Sequence, residues 1–496
     1  MIDAPYEDAE LLPATRRALL HRLATGQSEG RAPSMAGAVT RDGHLVWSSA
    51  RGELPGGARA EDVQYRIGSI TKTFVAVLVM RLRDEGLLKL EDRIGAYLDT
   101  PAGGDATVAQ LLSHTSGLAA EARGPWWERT DGALRPGLAD LFGDHPQLHT
   151  PGRLHHYSNP GYALLGALVE RIRGESWYDV LRREVLEPLG MDRTTLTPGA
   201  PHADGWAVHP WADVLLPEPA VDTGRMAPAG QLWSTTADLC RFAAFLMGGS
   251  YGTGRGDSYG TGRGDSYGTG RGGQVLSAET LAEMRTPEGG SRAPGQSGYG
   301  LGLQVMQKDG RTLVGHIGTM PGFVAALLVS PRDGIAGIVL ANRTSCFEAV
   351  GVAADLLATV ADLEPRIPAP WRPLSEVKDE HLELTGPWYW GAAPFTLRLC
   401  ADGALELAPL GSGGRGSRFR PEEDGTWTGL DDYYAGERLT AVRTAEGAVS
   451  HLDLGTFVFT REPYEAGDAV PGGVDAAGWR AAEGVRQQVS EGSDQR

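Results

Sequence analysis

A serine and a lysine stand three positions apart where an apolar stretch begins, in "RIGSITKTFVAVLVMRL" (66–82). The pair has two interpretations. Serine is a favoured residue at the N-cap of a helix, and a lysine in the first turn is ordinary when it faces solvent. Alternatively, because residues three apart share one face of a helix, the Lys72 amine could take a proton from Ser69 and make it a nucleophile. A four-residue pattern recurs by accident, so it leaves both interpretations open.

Two further short motifs carry groups that suit acyl transfer to a serine. Tyr157 and Asn159 lie in "HHYSNPGY", directly before an amphipathic helical pattern. The triplet His316-Ile317-Gly318 lies in "VGHIGTMPGF", between two strand-like apolar runs. Each motif alone is weak, since a tyrosine is usually a core aromatic and a His-x-Gly triplet is usually a turn. Their significance depends on their occurring together with the serine–lysine pair.

In this order, and spread over about 250 residues, the three motifs resemble those of the serine β-lactamase and penicillin-binding-protein superfamily, in particular its class-C-like branch. The stretches "LLSHTSGL" (111–118), "PAGQLWSTTADLCRF" (228–242) and "YGLGLQV" (299–305) add to the resemblance, which covers roughly residues 10–360. It implies an α/β (α+β) catalytic domain of the β-lactamase/transpeptidase type. It also implies an acyl-enzyme mechanism with Ser69 as the nucleophile.

The residues around Ser69 suit the roles that the resemblance gives them. A helix N-terminus offers free N–H groups and the positive end of the helix dipole where an oxyanion would form. Apolar neighbours such as Phe74 and Leu78 would bury the Lys72 amine, and burial favours its neutral, proton-accepting form. By the same resemblance Tyr157 shuttles protons to the leaving group and from the incoming nucleophile. Between two cations its phenol is expected to ionise more readily than usual.

The remaining roles also follow from the resemblance. Asn159 would donate to the substrate amide and help to hold the lysine, and the N–H groups of Ser69 and Thr319 would form the oxyanion hole. The triplet that begins at His316 would lie on the strand beside the nucleophile, where Gly318 leaves room for substrate backbone. This mechanism needs no cofactor and no metal, so we expect neither.

Two departures from the family pattern limit the classes of substrate that we expect. His316 replaces the lysine of the family's Lys-Thr-Gly triplet, and Ile317 replaces its threonine. In relatives that bind β-lactams or D-alanyl peptides, those polar groups meet the carboxylate of the substrate. Isoleucine has no hydroxyl to offer, so we expect a neutral ester, thioester or amide, although some carboxypeptidase relatives also carry a His-x-Gly triplet.

The amino-acid composition and the charge of the chain exclude some classes of binding partner. The chain has 46 Lys and Arg against 63 Asp and Glu, a formal charge of −17, which argues against nucleic acid or an anionic membrane surface as a partner. The N-terminal "MIDAPYEDAELLPATRRALL" lacks a basic segment followed by an apolar one, so no secretory signal is expected. Three widely spaced cysteines suit a reducing compartment. We expect a cytoplasmic protein without membrane spans.

Composition also shifts along the chain. We predict a catalytic domain at 1–362, a proline-rich linker at 363–376, an all-β, lipocalin-like barrel domain at 377–465 and a disordered tail at 466–496. The sequence predicts a first helix at about 8–25, followed by a hairpin with Asp42-Gly43 as its turn. Strands near both ends of the catalytic domain, with helices between them, indicate a sheet built from distant parts of the chain. Residues 250–272 repeat the unit SYGTGRGD about three times. We interpret them as a tolerant surface loop rather than an adhesive Arg-Gly-Asp site.

Three functions compete. The first is a thioesterase of the penicillin-binding-protein type, which takes a nonribosomal peptide from a carrier-protein thioester onto serine and releases it as a head-to-tail macrolactam, the acyl residue having the D configuration. Resemblance to those enzymes extends to the C-terminal β-domain. The second is an esterase, D-aminopeptidase or DD-peptidase-like hydrolase of the same fold. The third is an inactive binding protein, which the intact Ser69, Lys72 and Tyr157 disfavour.

A last candidate lies in the β-domain. Arg461, in "FVFTREPY", is either a surface arginine or a substrate-binding residue. The second interpretation follows from Ile317: if the catalytic domain lacks a carboxylate-binding hydroxyl, an arginine of the β-domain could hold the peptide in a folded pose by bidentate hydrogen bonds.

Overall fold

The chain divides into two units, Met1–Arg366 and Ile367–Arg496. The computed structural model describes residues 11–248, 275–287, 289–290, 298–346, 348–368, 370–411, 414–465 and 470. The repeat at 250–272 and, apart from residue 470, the predicted tail lie outside the described residues. No helix within the described ranges is both long enough and apolar enough to span a bilayer.

The first unit is built around an eight-stranded sheet. Its strand order is β2-β1-β12-β11-β10-β9-β8-β7. The members are β1 (Ser34–Arg41), β2 (His44–Gly52), β7 (Gly289–Gly290), β8 (Gly298–Tyr299), β9 (Gln304–Lys308), β10 (Arg311–Met320), β11 (Phe323–Ser330) and β12 (Ile335–Ala341). Four short strands pair outside it: β3 (Tyr65–Arg66) with β6 (Trp233–Ser234), and β4 (Trp206–Val208) with β5 (Leu215–Pro217).

Strand β1 pairs antiparallel with β12, Met35 lying opposite Ala341, so the sheet is indeed assembled from distant parts of the chain. Asp42 and Gly43 form the two-residue turn between β1 and β2, with φ of 50° and 77°. Positive φ at both positions matches the turn that suits the twist of a hairpin. Strands β11 and β12 are buried along their whole length, which explains their nearly continuous apolar sequence.

Helices cover both faces of the sheet. The helices of this unit are α1 (Pro13–Glu29), α2 (Ile70–Asp84), α3 (Val108–Leu112), α4 (Asn159–Arg173), α5 (Trp177–Leu181), α6 (Glu187–Leu189), α7 (Ala227–Gly230), α8 (Thr236–Leu246), α9 (Ala278–Met284) and α10 (Glu348–Leu363). Helices α1 and α10 pack together on one face, α1 against β1 and β2 and α10 against β11 and β12, while α2 and α8 pack on the other face. Helix α2 is buried at nearly every position, so it forms the centre of the larger core.

The second unit contains a closed antiparallel barrel of eight strands. The short helix α11 (Asp379–Leu382) precedes the strands. The strands are β13 (Gly386–Trp390), β14 (Ala393–Leu399), β15 (Leu405–Pro409), β16 (Ser417–Pro421), β17 (Trp427–Gly429), β18 (Arg438–Arg443), β19 (Val449–Leu454) and β20 (Phe457–Thr460). Alternate inward residues, among them Trp388, Trp427 and Phe419, fill its interior. The predicted fold class, a β-lactamase-like domain followed by an all-β barrel domain, is confirmed.

Candidate active site

Ser69 occupies the N-cap position of α2, yet its side chain makes no capping hydrogen bond. Its Oγ instead accepts a hydrogen bond from Lys72 Nζ at 2.9 Å. Lys72 lies one turn further along and is fully buried, and its ammonium group also donates to the Ala229 carbonyl at 2.6 Å. The helix-cap interpretation of Ser69 therefore does not describe this side chain, which faces the lysine.

Burial changes the acid–base chemistry of the lysine. Removal of the Lys72 amine from water lowers its pKa to about 7, although the carboxylates of Glu121 and Glu128 act in the opposite direction. A substantial fraction of Lys72 is therefore neutral near pH 7. A neutral amine in contact with Ser69 Oγ can accept the proton that the serine must lose to attack a carbonyl.

Tyr157 lies beside this pair, with its ring centroid 5.0 Å from Lys72 Nζ. Burial raises the pKa of Tyr157, a hydrogen bond with Ser69 lowers it, and the Glu121 and Glu128 carboxylates raise it further. The expectation that this phenol ionises readily is therefore wrong, because burial outweighs the hydrogen bond with Ser69. A phenol that keeps its proton suits the other half of the shuttle, donation to a leaving group.

His316 is buried and both of its ring nitrogens are engaged. Nδ1 lies 2.6 Å from the Ile317 carbonyl, and Nε2 lies 2.9 Å from the Tyr299 hydroxyl. A carbonyl oxygen can only accept, so Nδ1 carries the proton and Nε2 accepts from Tyr299. Burial, assisted by Lys72, lowers the pKa of His316 to about 3. The group that replaces the family's lysine is thus a neutral imidazole, and the Ile317 carbonyl fixes its tautomer.

Asn159 begins α4 and is nearly buried. Its Nδ2 group donates to both carboxylate oxygens of Glu121, at 3.0 and 3.1 Å. Glu121 also accepts from the indole N–H of Trp127 at 2.7 Å. The amide expected to meet the substrate is therefore engaged by a carboxylate that the sequence analysis did not identify, because nothing in the local pattern marks Glu121.

The backbone around the nucleophile is packed closely against strand β10. A Cβ atom at Gly318 would lie 1.8 Å from the Ile67 carbonyl and 2.9 Å from the Ser69 nitrogen. A Cβ atom at Gly68, whose φ is +53°, would lie 2.6 Å from the Thr319 nitrogen. These glycines let the two segments touch, which brings the nitrogens predicted to form the oxyanion hole into one neighbourhood. Contact of Gly318 with substrate stays a prediction.

Arg461 lies in the second unit, directly after β20. Its Nη1 donates to the carbonyls of Thr385 and Pro387 at 3.0 and 3.1 Å, and Nη2 donates to the Glu383 carbonyl. Its guanidinium also lies over the ring of Trp388, 3.9 Å from the centroid. These contacts all lie within its own domain, and a role for Arg461 in binding substrate stays a prediction.

Comparisons with known proteins agree with this geometry. The family model described as Beta-lactamase matches residues 18–361, and a domain of unknown function (DUF7586) matches residues 377–461. Penicillin-binding protein 4 of Amycolatopsis lactamdurans is 30% identical over 332 residues, which are 64% of this chain and 82% of the relative.

Two solved structures show the same fold. SurE superposes with a TM-score of 0.54 at 24% identity, covering 90% of this chain and 99% of SurE. The D-amino acid amidase of Ochrobactrum anthropi SV3, complexed with D-phenylalanine, gives 0.56 at 22% identity, covering 71% and 99%. Because the matched family model spans the helix that carries Lys72 and the strand that carries His316, the resemblance to the superfamily is confirmed, and this chain belongs to the β-lactamase family of serine hydrolases and acyltransferases.

Proposed function

We propose that this protein forms an acyl-enzyme on Ser69 from a neutral peptidyl thioester and releases the peptide as a head-to-tail macrolactam. The observation that carries the proposal is the surface of β10 beside the nucleophile. There the imidazole of His316 is neutral, and the side chain of Ile317 has no hydroxyl. A substrate with a free carboxylate next to the scissile bond would find neither a cation nor a hydroxyl donor at these two positions.

The charge around the nucleophile supports the same substrate class. The Glu121 and Glu128 carboxylates both act on Lys72 and Tyr157, and Glu121 contacts Asn159 directly. Negative charge at this position disfavours an anionic acyl donor. It favours a substrate that brings positive charge to the site, and the free N-terminal ammonium of a peptide is such a group.

Ser69, Lys72 and Tyr157 can carry out the acyl transfers and the proton transfers of this reaction. Ser69 Oγ attacks the carbonyl carbon while its proton passes to the neutral Lys72 amine. The C–S bond breaks, and the leaving thiolate takes a proton from Tyr157, which regains it from Lys72. In the second half, the peptide ammonium first loses one proton to solvent, and the resulting neutral amine attacks the acyl-serine and loses a second proton to the Lys72–Tyr157 pair. The bond to Ser69 Oγ breaks, and the serine oxygen recovers its proton.

The preference for cyclisation follows from a resemblance in domain layout. A catalytic domain of this family followed by a closed eight-stranded barrel resembles the layout of penicillin-binding-protein-type thioesterases. In this proposal the acyl donor is delivered by the carrier protein of a nonribosomal peptide synthetase, and the enzyme works in the cytoplasm. The acyl residue has the D configuration. An inactive binding protein is disfavoured, since Lys72 is held against Ser69.

The test is to incubate the protein with a peptidyl N-acetylcysteamine thioester that has a D residue at its C-terminus and a free N-terminus. We expect mass spectrometry to detect the cyclic peptide, 18 Da lighter than the linear acid, because an amine rather than water resolves the acyl-serine. The N-acetylated peptide cannot cyclise and serves as the matched substrate. Ser69→Ala should form neither product nor covalent adduct.

The alternative outcomes are distinct. If D-terminated thioesters of several lengths all yield only linear acid, the protein is a hydrolase of the same fold and the cyclase proposal is wrong. If thioesters are inert while small amides or esters of D-amino acids turn over, the enzyme is an amidase or esterase. Loss of labelling in Ser69→Ala is required by all of these outcomes.

A further inference from the structure

Helix α3 ends in an unusual way close to the active site. Its last residue is Leu112, and two residues later His114 adopts a φ of +57°. The N–H of Thr115 donates to the Gln110 carbonyl at 2.8 Å, which is the hydrogen bond typical of a helix that ends in a left-handed residue. Glycine is the usual residue at that position, because a side chain makes the left-handed conformation costly. A histidine there needs a reason beyond ending the helix.

The reason lies in what His114 contacts. Its carbonyl accepts from the N–H of His156 at 2.7 Å, and its Nδ1 accepts from the N–H of Ser158 at 3.0 Å. These two bonds hold the residues on both sides of Tyr157. The imidazole also stacks on the Tyr157 ring, with centroids 4.0 Å apart and planes 31° apart. One residue therefore fixes the backbone before and after Tyr157 and the position of its ring.

The protonation state of His114 follows from the same contacts. A backbone N–H always donates, so Nδ1 is unprotonated and the ring proton is on Nε2. That Nε2 group is buried and has no hydrogen-bond partner among the residues that the structure describes, and the ring makes an edge-to-face contact with Tyr299 at 4.6 Å. Burial holds the pKa of His114 well below its usual value, with Lys72 acting in the same sense. The imidazole is thus a neutral acceptor and a flat packing surface.

We propose that His114 is a positioning residue for the acyl-transfer reaction, which orients the Tyr157 phenol by bracketing its backbone and stacking on its ring. It touches no reacting atom and acts only through Tyr157. Positioning Tyr157 in this way needs a hydrogen-bond acceptor, a flat ring and a left-handed backbone at one residue. Asparagine offers the acceptor and tolerates the left-handed conformation, and phenylalanine offers only the ring. The inference rests on serine acylation and not on cyclisation, so it holds equally for a hydrolase.

His114→Gly separates this role from a structural one. Glycine suits a φ of +57°, but loss of the buried imidazole leaves a cavity and removes the acceptor of the Ser158 N–H, so the thermal midpoint should fall while the protein still folds. We expect kcat for a small chromogenic ester to fall about 10- to 100-fold, with KM within about three-fold, because a displaced catalytic group lowers the rate of the chemical step. Asp309, at φ +51° in an exposed turn, provides the matched control. Asp309→Gly should leave kcat unchanged.

Two further variants make the test decisive. His114→Asn restores the acceptor without the ring, and its kcat should lie between those of His114→Gly and the unsubstituted protein. In a Tyr157→Phe background, His114→Gly should cause no further loss, because the group that it positions is already absent. The proposal is overturned if His114→Gly retains kcat within two-fold, or if its loss persists fully in Tyr157→Phe. Should His114→Gly fail to fold, the same comparisons on His114→Asn decide.

Discussion

Asn159 donates its side-chain amide to both oxygens of the Glu121 carboxylate, at 3.0 and 3.1 Å. The amide that the family pattern directs at substrate is therefore held by a carboxylate, which also raises the pKa of Lys72. Glu121 thus links the group that would bind the substrate amide to the base that activates the serine. Substrate that meets Asn159 must compete with this carboxylate for the amide.

Glu121→Gln should move the acid limb of the pH–rate profile to lower pH. The carboxylate stabilises the protonated form of Lys72, so its neutralisation lowers the pKa of Lys72 further below its ordinary value. Measurement of kcat/KM for a neutral ester between pH 5 and pH 9 checks the shift. Glu348→Gln, on α10 of the same unit, removes a carboxylate that is not one of the two acting on Lys72, so this control should leave the limb in place. An upward shift would contradict the electrostatic role of Glu121.

The unsubstituted enzyme should gain activity as pH rises through about 7 and then reach a plateau. Lys72 acts as a base only when neutral, and burial lowers its pKa to about 7. Lys72→Arg keeps a cation that does not deprotonate, so we expect kcat to fall about 10²- to 10⁴-fold with no limb in this range. Stopped-flow acylation by a chromogenic ester measures both quantities. A limb that persists in Lys72→Arg would assign the titration to another group.

Features of the structure that depend on neighbouring residues can be predicted from the sequence. Features that depend on contacts between residues far apart in the chain cannot. The Asp42-Gly43 turn and the serine–lysine pair are local, and both were predictable. Glu121 and Tyr299 were missed because their roles come from contacts with residues distant in the chain. The ionisation of Tyr157 was predicted with the wrong sign, since burial and a neutral His316 are properties of the folded site.

Helix boundaries show the same limit. The apolar pattern predicts a first helix at about 8–25, whereas α1 begins at Pro13 and ends at Glu29. Proline suits the first turn of a helix, where its missing N–H has no intrahelical partner, so the start is marked by one residue rather than by periodicity. The end depends on packing against α10, which the local sequence does not contain.

Ile317→Thr should increase acylation by a β-lactam that carries a carboxylate. The substitution returns the hydroxyl that the family's triplet offers to the substrate carboxylate, and threonine keeps the β-branch that suits a strand. We expect the rate constant for acylation by benzylpenicillin to rise about 10-fold, while turnover of a neutral ester changes less than three-fold. Ile317→Val is the matched control, because it alters the side-chain volume without adding a donor. If both variants were acylated faster by the same factor, the smaller side-chain volume rather than the hydroxyl would be the cause.

Arg461 lies where the first and last strands of the barrel meet, and its removal should destabilise that domain. Strands β13 and β20 pair through a single residue pair, Tyr389 and Thr460. The guanidinium that follows β20 donates to three carbonyls just before and within β13 and lies over Trp388. Because charged hydrogen bonds and a cation–π contact are lost together, Arg461→Ala should lower the free energy of unfolding of the barrel by about 2–4 kcal/mol.

Arg461→Lys separates charge from shape, since an ammonium cannot reproduce the planar fork, and it should recover only part of the loss. Denaturant unfolding followed by tryptophan fluorescence measures stability, and Ser69 labelling by a small activated ester measures the catalytic domain. We expect reduced barrel stability with normal Ser69 labelling in Arg461→Ala. If instead stability is unchanged and the ratio of cyclic to linear peptide falls, Arg461 binds substrate, which is the second of the two interpretations that its sequence allows, and its contacts within the barrel are incidental to stability.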